Sequence, residues 1–197
     1  NTQMSRFLIA GLGNMGEKYE TTYHIVGVLA IDRLATKLSL APKTLQLPVR
    51  WSFRKIVSTI YRSEDLILAK PSCYMNESGD IVSPLLKHYE IPADHLIVIH
   101  DDSDILLGNS KLKFGGSSGG HRGIESIIQT TGTQDFWHLK IGIRPPDDQG
   151  TIRLKAERLV LQKISQETEK ILQNTIDTAL EILLSRSTKE MHDVDNH

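Results

Sequence analysis

His24 and the run His100-Asp101-Asp102-Ser103-Asp104 are the residues of this chain best suited to moving a proton. A half-buried imidazole beside a carboxylate from another strand end makes a general base, because the carboxylate fixes the tautomer and steadies the imidazolium. His24 follows a glycine-rich turn, and the acidic run follows the apolar stretch Leu96–Ile99. The pair therefore predicts an enzyme that activates water or a hydroxyl. Read alone, His24 is more often just a capping or half-buried helix-start residue. The acidic run also fits a Mg²⁺ site, since hard cations favour carboxylates, or a plain turn after a buried strand. Spacing does not choose among these.

Other chemistry-bearing groups lie close by in the pattern. Asn14, Asn76 and Asp101 each fall near the end of a predicted strand, and in open α/β sheets ligands bind outside the carboxyl ends of the strands. Gly11-x-Gly13-x-x-Gly16 matches the dinucleotide fingerprint by letter. The fingerprint needs a helix opening inside the motif, yet Glu17-Lys18-Tyr19-Glu20 intervenes and Asp32 falls inside a helix. A tight loop, or a substrate loop with Asn14 as reader, fits better. Gly115–Gly120 is a second glycine loop, leading into His121-Arg122, suited to cradle a phosphate, to move as a gate, or simply to link. Lys111 and Lys113 alternate on a predicted strand and share a face. Lys140 on a later strand extends them into a small basic patch that fits a few phosphates.

The elements that must position these groups follow from periodicity. Strands are predicted at Phe7–Ala10, Phe53–Tyr61, Leu66–Ala69, Leu96–Ile99, Lys111–Phe114 and Trp137–Ile143. Helices are predicted at His24–Leu38, from an Asn76 cap to Tyr89, at His121–Thr131 and at Ser165–Leu184, with Pro42 to Pro48 as a loop. This alternation predicts a single-domain α/β protein, a twisted, mostly parallel mixed sheet with helices on both faces. Residues 4–191 form the expected domain. Residues 1–3 read as a cloning remnant before Met4, and 192–197 as a loose tail.

The bulk composition narrows the class. In 197 residues, 39% are hydrophobic and 24% charged, enough for one sizeable core. The net charge of −1 excludes a protein coated in positive charge, so any nucleic acid must meet a local basic face. The lone Cys73 excludes an internal disulfide and a cysteine-rich zinc site, and fits a reducing compartment.

Three motifs in register carry a resemblance. Ala10-Gly-Leu-Gly-Asn-Met-Gly16 with Tyr19 and His24, then Lys70-Pro-Ser-Cys-Tyr-Met-Asn-Glu-Ser-Gly79, then His100–Asp104 and Gly115–Gly123, resemble the bacterial-type peptidyl-tRNA hydrolases from about Phe7 to Met191. The resemblance implies an esterase of translation that cleaves the bond between a peptide and the tRNA 3′ ribose, freeing stalled chains. It implies catalysis by His24 as general base, Asp101 as its holder and Asn14 as the group that tells N-blocked from free aminoacyl-tRNA. It also implies that Tyr19, Tyr74, Asn76 and Arg122 bind substrate and that Lys113 and Lys140 contact a tRNA phosphate. No metal and no cofactor are implied, and the expected protein is monomeric and cytoplasmic, with the mitochondrial matrix as the other setting. The chain departs from the family at Met15 (usually proline), at Tyr23 and Ile25 flanking the histidine (usually arginine and asparagine), and at Arg122 (usually asparagine). A rival reading is an RNA-splicing or RNA-binding cofactor on the same fold that hydrolyses nothing.

Overall fold

The computed structural model describes residues 6–16, 22–48, 55–146 and 159–185. Seven strands form one sheet: β1 (Phe7–Gly11), β2 (Lys43–Pro48), β3 (Lys55–Arg62), β4 (Leu66–Pro71), β5 (Leu96–Leu106), β6 (Ser110–Phe114) and β7 (Trp137–Arg144). Their order is β2-β3-β4-β1-β5-β7-β6. The four central strands run parallel, while β2, β3 and β6 attach antiparallel at the flanks. The expected mixed α/β sheet is thus present, with its parallel part confined to the middle.

Strand alternation divides the apolar residues between two cores. Phe7, Ile9, Ile97 and Ile99 face the helices α1 (Val26–Lys37) and α4 (Gln166–Ser185). Leu8, Ala10, Leu96 and Val98 face α2 (Ser78–Tyr89) and α3 (Arg122–Thr131). Both faces are covered, which is why β1 and the first half of β5 read as unbroken apolar runs. Each fully buried aliphatic side chain is worth about 1.5–3 kcal/mol. The two helices of the first layer are also joined at their surface, where the Arg33 guanidinium grips the Asp177 carboxylate, Nε to Oδ1 at 2.7 Å.

Three elements differ from the sequence-based expectation. The stretch expected as a loop holds edge strand β2 (Lys43–Pro48), in which Pro48 is permitted because an edge strand leaves one row of backbone groups unpaired. β5 continues through the acidic run to Leu106, with a register shift against β7 between Asp102 and Leu106, so Asp101 is a strand residue and not part of a turn. Asn76 does not cap α2; it lies in a 3-10 turn, Met75–Glu77, where the Glu77 carboxylate accepts the Tyr74 backbone N–H at 3.2 Å.

The first glycine motif serves packing. A Cβ on Gly11 would stand 2.1 Å from the Gly27 carbonyl oxygen, and a Cβ on Gly27 would stand 2.3 Å from the Ile99 oxygen. Helix α1 therefore lies against the ends of β1 and β5 with no room for a side chain between backbones. The helix opens at Val26, ten residues beyond Gly16, so the dinucleotide geometry is absent.

Candidate active site

Strand ends and two loops wall a cleft of about 730 Å³ at the carboxyl ends of the central strands. The parallel centre fixes the place: β1, β4, β5 and β7 all deliver their last residues to the same edge of the sheet. After β1 the chain turns through Asn14. After β4 it turns through Tyr74 and Asn76. Asp101 comes from β5, Lys140 from β7, and Arg122 from the first position of α3; all of these line the cleft with His24. Lys113 is not among the lining residues. It is exposed on β6, on the face shared by Lys111, whose register partner is Lys140. Tyr19 lies outside the described residues.

His24 sits in a 3-10 turn, Tyr23–Ile25, ahead of α1, with its backbone N–H donated to the Val160 carbonyl at 3.3 Å. Its Nδ1 lies 2.8 Å from Asp101 Oδ1, and the two side chains are 14% and 4% exposed. A carboxylate only accepts, so Nδ1 carries the hydrogen and Nε2 keeps its lone pair.

A second imidazole meets the same oxygen. His121 caps α3, its Nδ1 accepting the Ile124 backbone N–H at 3.3 Å, and its Nε2 lies 3.3 Å from Asp101 Oδ1. Since Nδ1 accepts, Nε2 must bear the hydrogen and donate. Burial alone would push the Asp101 carboxyl up, but the His121 and His24 imidazoles overcome it and hold the acid well below the usual carboxylate range. Asp101 is therefore an anion throughout the working pH range.

Beneath them lie His100 and His138. His100 Nδ1 donates to the Asp101 carbonyl at 2.8 Å, and its Nε2 accepts from His138 Nδ1 at 3.3 Å. Burial, then the neighbouring His121 and His138, push the His100 imidazole well below its usual value. Burial, with Lys140 and Lys113 nearby, pushes His138 down to about 4. Both are neutral and shape the floor of the site.

The remaining predicted groups have partners that define what they can still do. The Asn14 carbonyl oxygen accepts the Met75 backbone N–H at 2.7 Å, which leaves its amide NH₂ as the part available to a ligand. Lys140 Nζ lies 2.8 Å from Asp102 Oδ2. Asp101 and Asp102 thus serve different partners, two imidazoles and an ammonium, which is unlike a carboxylate cluster awaiting Mg²⁺. The ligand atoms of His24, Asp101 and His121 lie within 4.8 Å of one another, near enough to converge on an ion, but in this arrangement they are hydrogen-bonded to each other. The Gly115–Gly120 loop holds Gly115, Gly116, Gly119 and Gly120 at positive φ, and Ser118, Gly119 and Gly120 reach the cleft.

The sequence profile of the peptidyl-tRNA hydrolases matches residues 8–197. The chain belongs to the peptidyl-tRNA hydrolase family. Among its relatives, the peptidyl-tRNA hydrolase of Aquifex aeolicus is 40% identical over 182 residues, covering 90% of this chain and 88% of that protein. The peptidyl-tRNA hydrolase of Mycobacterium marinum is 45% identical over 140 residues, 71% of either protein. The crystal structure of the peptidyl-tRNA hydrolase of Acinetobacter baumannii superposes with a TM-score of 0.76 at 27% identity, covering all of this chain and 98% of that one. As a peptidyl-tRNA hydrolase family member, the chain has a cleft that answers most of its sequence motifs: seven of the nine anticipated residues line it, Asn14, His24, Tyr74, Asn76, Asp101, Arg122 and Lys140. The sequence reading overlooked His121 as a site residue. Its partner Asp101 is 20 positions away on another element, and only the pairing of the second glycine loop with a following histidine hinted at it.

Proposed function

We propose that this hydrolase of peptidyl-tRNA cleaves the ester between the peptide and the tRNA 3′ ribose with His24 as general base and Asp101 as the residue that holds it. The observation that carries this is the 2.8 Å Nδ1–Oδ1 hydrogen bond, which leaves the His24 Nε2 lone pair for a water molecule. In that reading, water attacks the ester carbonyl carbon while Nε2 takes its proton. The Asn76 amide and backbone N–H groups steady the oxyanion. The tetrahedral intermediate then expels the ribose oxygen, which receives the proton back from the imidazolium, and Asp101 stabilises that imidazolium while it exists. An ester has a good leaving group, so a positioned water suffices without a covalent nucleophile. The Asn14 NH₂ is placed to meet a peptide carbonyl, and Tyr74 and Arg122 flank the 3′ end.

In this reading the imidazole itself activates the water, so no metal is required, and the protein acts as a monomer. The single Cys73 supports a reducing setting, the cytoplasm or the mitochondrial matrix. An RNA-binding cofactor that hydrolyses nothing would have no use for this imidazole–carboxylate pair. Release of N-acetyl-aminoacyl groups from tRNA, with EDTA present, tests the reading: steady turnover is expected, and a folded protein that turns over nothing would overturn it.

The basic residues give a separate expectation. Lys113→Ala and Lys140→Ala should each raise KM several-fold with little change in kcat, and each should reduce the log–log salt slope of tRNA binding, by up to about one. Lys140 shares its charge with Asp102, so its replacement should show the smaller salt effect. KM and salt slope both unchanged in the two variants would remove the phosphate contact from the mechanism.

A further inference from the structure

Two imidazoles converge on one oxygen: Asp101 Oδ1 accepts from His24 Nδ1 at 2.8 Å and from His121 Nε2 at 3.3 Å. The tautomer of His121 is not free to vary, because its Nδ1 is committed to the Ile124 N–H at the start of α3. Its ring is further fixed by edge contacts to His24, centroids 5.7 Å apart, and to His100, 4.8 Å apart. His100 in turn holds the main chain of Asp101 through its carbonyl. The carboxylate is therefore located from three sides by three histidines, and only one of them has an open nitrogen in the cleft.

We infer that His121 is a positioning residue for hydrolysis: by donating to the oxygen that His24 uses, it divides the pull of the Asp101 carboxylate between two imidazoles and keeps His24 in its proton-accepting form. This rests on the assignment of His24 as the base. An unshared carboxylate in hydrogen-bond contact favours the imidazolium, and an imidazolium takes no proton from water. A carboxylate that must also accept from a second N–H has less negative charge to offer the first. Of the two imidazoles, His121 acts the more strongly on the Asp101 carboxyl, after the opposing effect of burial. Among the described residues, the other charged or titratable groups that line the cleft with His24 are His100, Asp102 and Asp104 of β5, Tyr74 after β4, Arg122 of α3 and Lys140 of β7. Of the carboxylates among them, Asp102 is engaged by Lys140.

The test separates the cap from the donation. His121→Ser keeps a side-chain acceptor suited to a helix N-cap but is too short to reach Asp101, whereas His121→Gln can restore an N–H to it. The His24 ring is titrated by NMR in each folded variant, and the pH profile of kcat is measured on N-acetyl-aminoacyl-tRNA. In the serine variant the His24 midpoint and the acid limb of kcat should both move to higher pH, by about 0.5–1 unit, with KM unchanged, and glutamine should move both back. A His24 midpoint that stays put or falls in the serine variant would overturn the proposal, whatever happens to kcat. A midpoint that rises while His24→Ala retains full activity would leave the sharing of Asp101 standing and remove His24 as the base.

Discussion

Replacing His24 by alanine should lower kcat by about 10²–10⁴-fold, the range supplied by a positioned general base, and leave KM for peptidyl-tRNA within about twofold. The split follows from the geometry. His24 offers the cleft one nitrogen, and its backbone N–H is held by the Val160 carbonyl whatever its side chain is. The 3-10 turn should therefore survive the substitution, and the other lining groups should still bind the tRNA end. Single-turnover release of N-acetyl-aminoacyl groups, beside an equilibrium tRNA-binding measurement, separates the two effects. A loss below about tenfold would mean that another group takes the proton.

The second large effect is expected at Asp101. Asp101→Asn should also lower kcat by about 10²–10⁴-fold, although the asparagine oxygen can still accept from the His24 N–H. What is lost is the negative charge that stabilises the imidazolium during proton transfer. Both imidazoles meet the same carboxylate oxygen, so the amide oxygen can stand in that place and accept from both, and the variant isolates the loss of charge from the loss of the hydrogen bonds. The double variant His24→Ala/Asp101→Asn should be little worse than His24→Ala alone, since the carboxylate acts through the imidazole. Additive losses would show that Asp101 works independently of His24, for example on the substrate itself.

These expectations come from contacts that the sequence exposed unevenly. The buried strands Phe7–Gly11 and Leu96–Ile99 and the amphipathic helices were legible because their apolar period is strong. The edge strand Lys43–Pro48 was not, because prolines and charge at a sheet margin look like a loop until β3 is laid beside it. The extension of β5 through Asp101-Asp102 was hidden for a similar reason: charged residues there are paid for by imidazole and ammonium partners on other elements, and spacing carries no trace of them. The Gly11-x-Gly13 motif was misleading by letter alone. Gly11 is required by the backbone of Gly27, sixteen residues on, and its Cβ would collide there with no nucleotide involved. Asn14, His24 and Asp101 stood out first by residue type and by their places near predicted strand ends, the family resemblance then implied their roles, and all three line one strand-end cleft, as the rule for open α/β sheets expects. His121 required the three-dimensional pairing.

The neutral imidazoles under the site bear on the acid tolerance of the whole molecule. In the unfolded chain each histidine titrates near its ordinary value of about 6.5, while in the fold His138 is pushed down to about 4 and His100 is pushed well below normal. Below about pH 6.5 the unfolded chain therefore takes up protons that the native one refuses. The stability these two residues carry is complete above that pH and drains away as acidity rises, at up to about 1.4 kcal/mol per pH unit for each. For His138 the drain ends near pH 4, where the native imidazole begins to charge as well. Acidification would thus disarm the protein from the inside, by loosening the floor on which Asp101 stands.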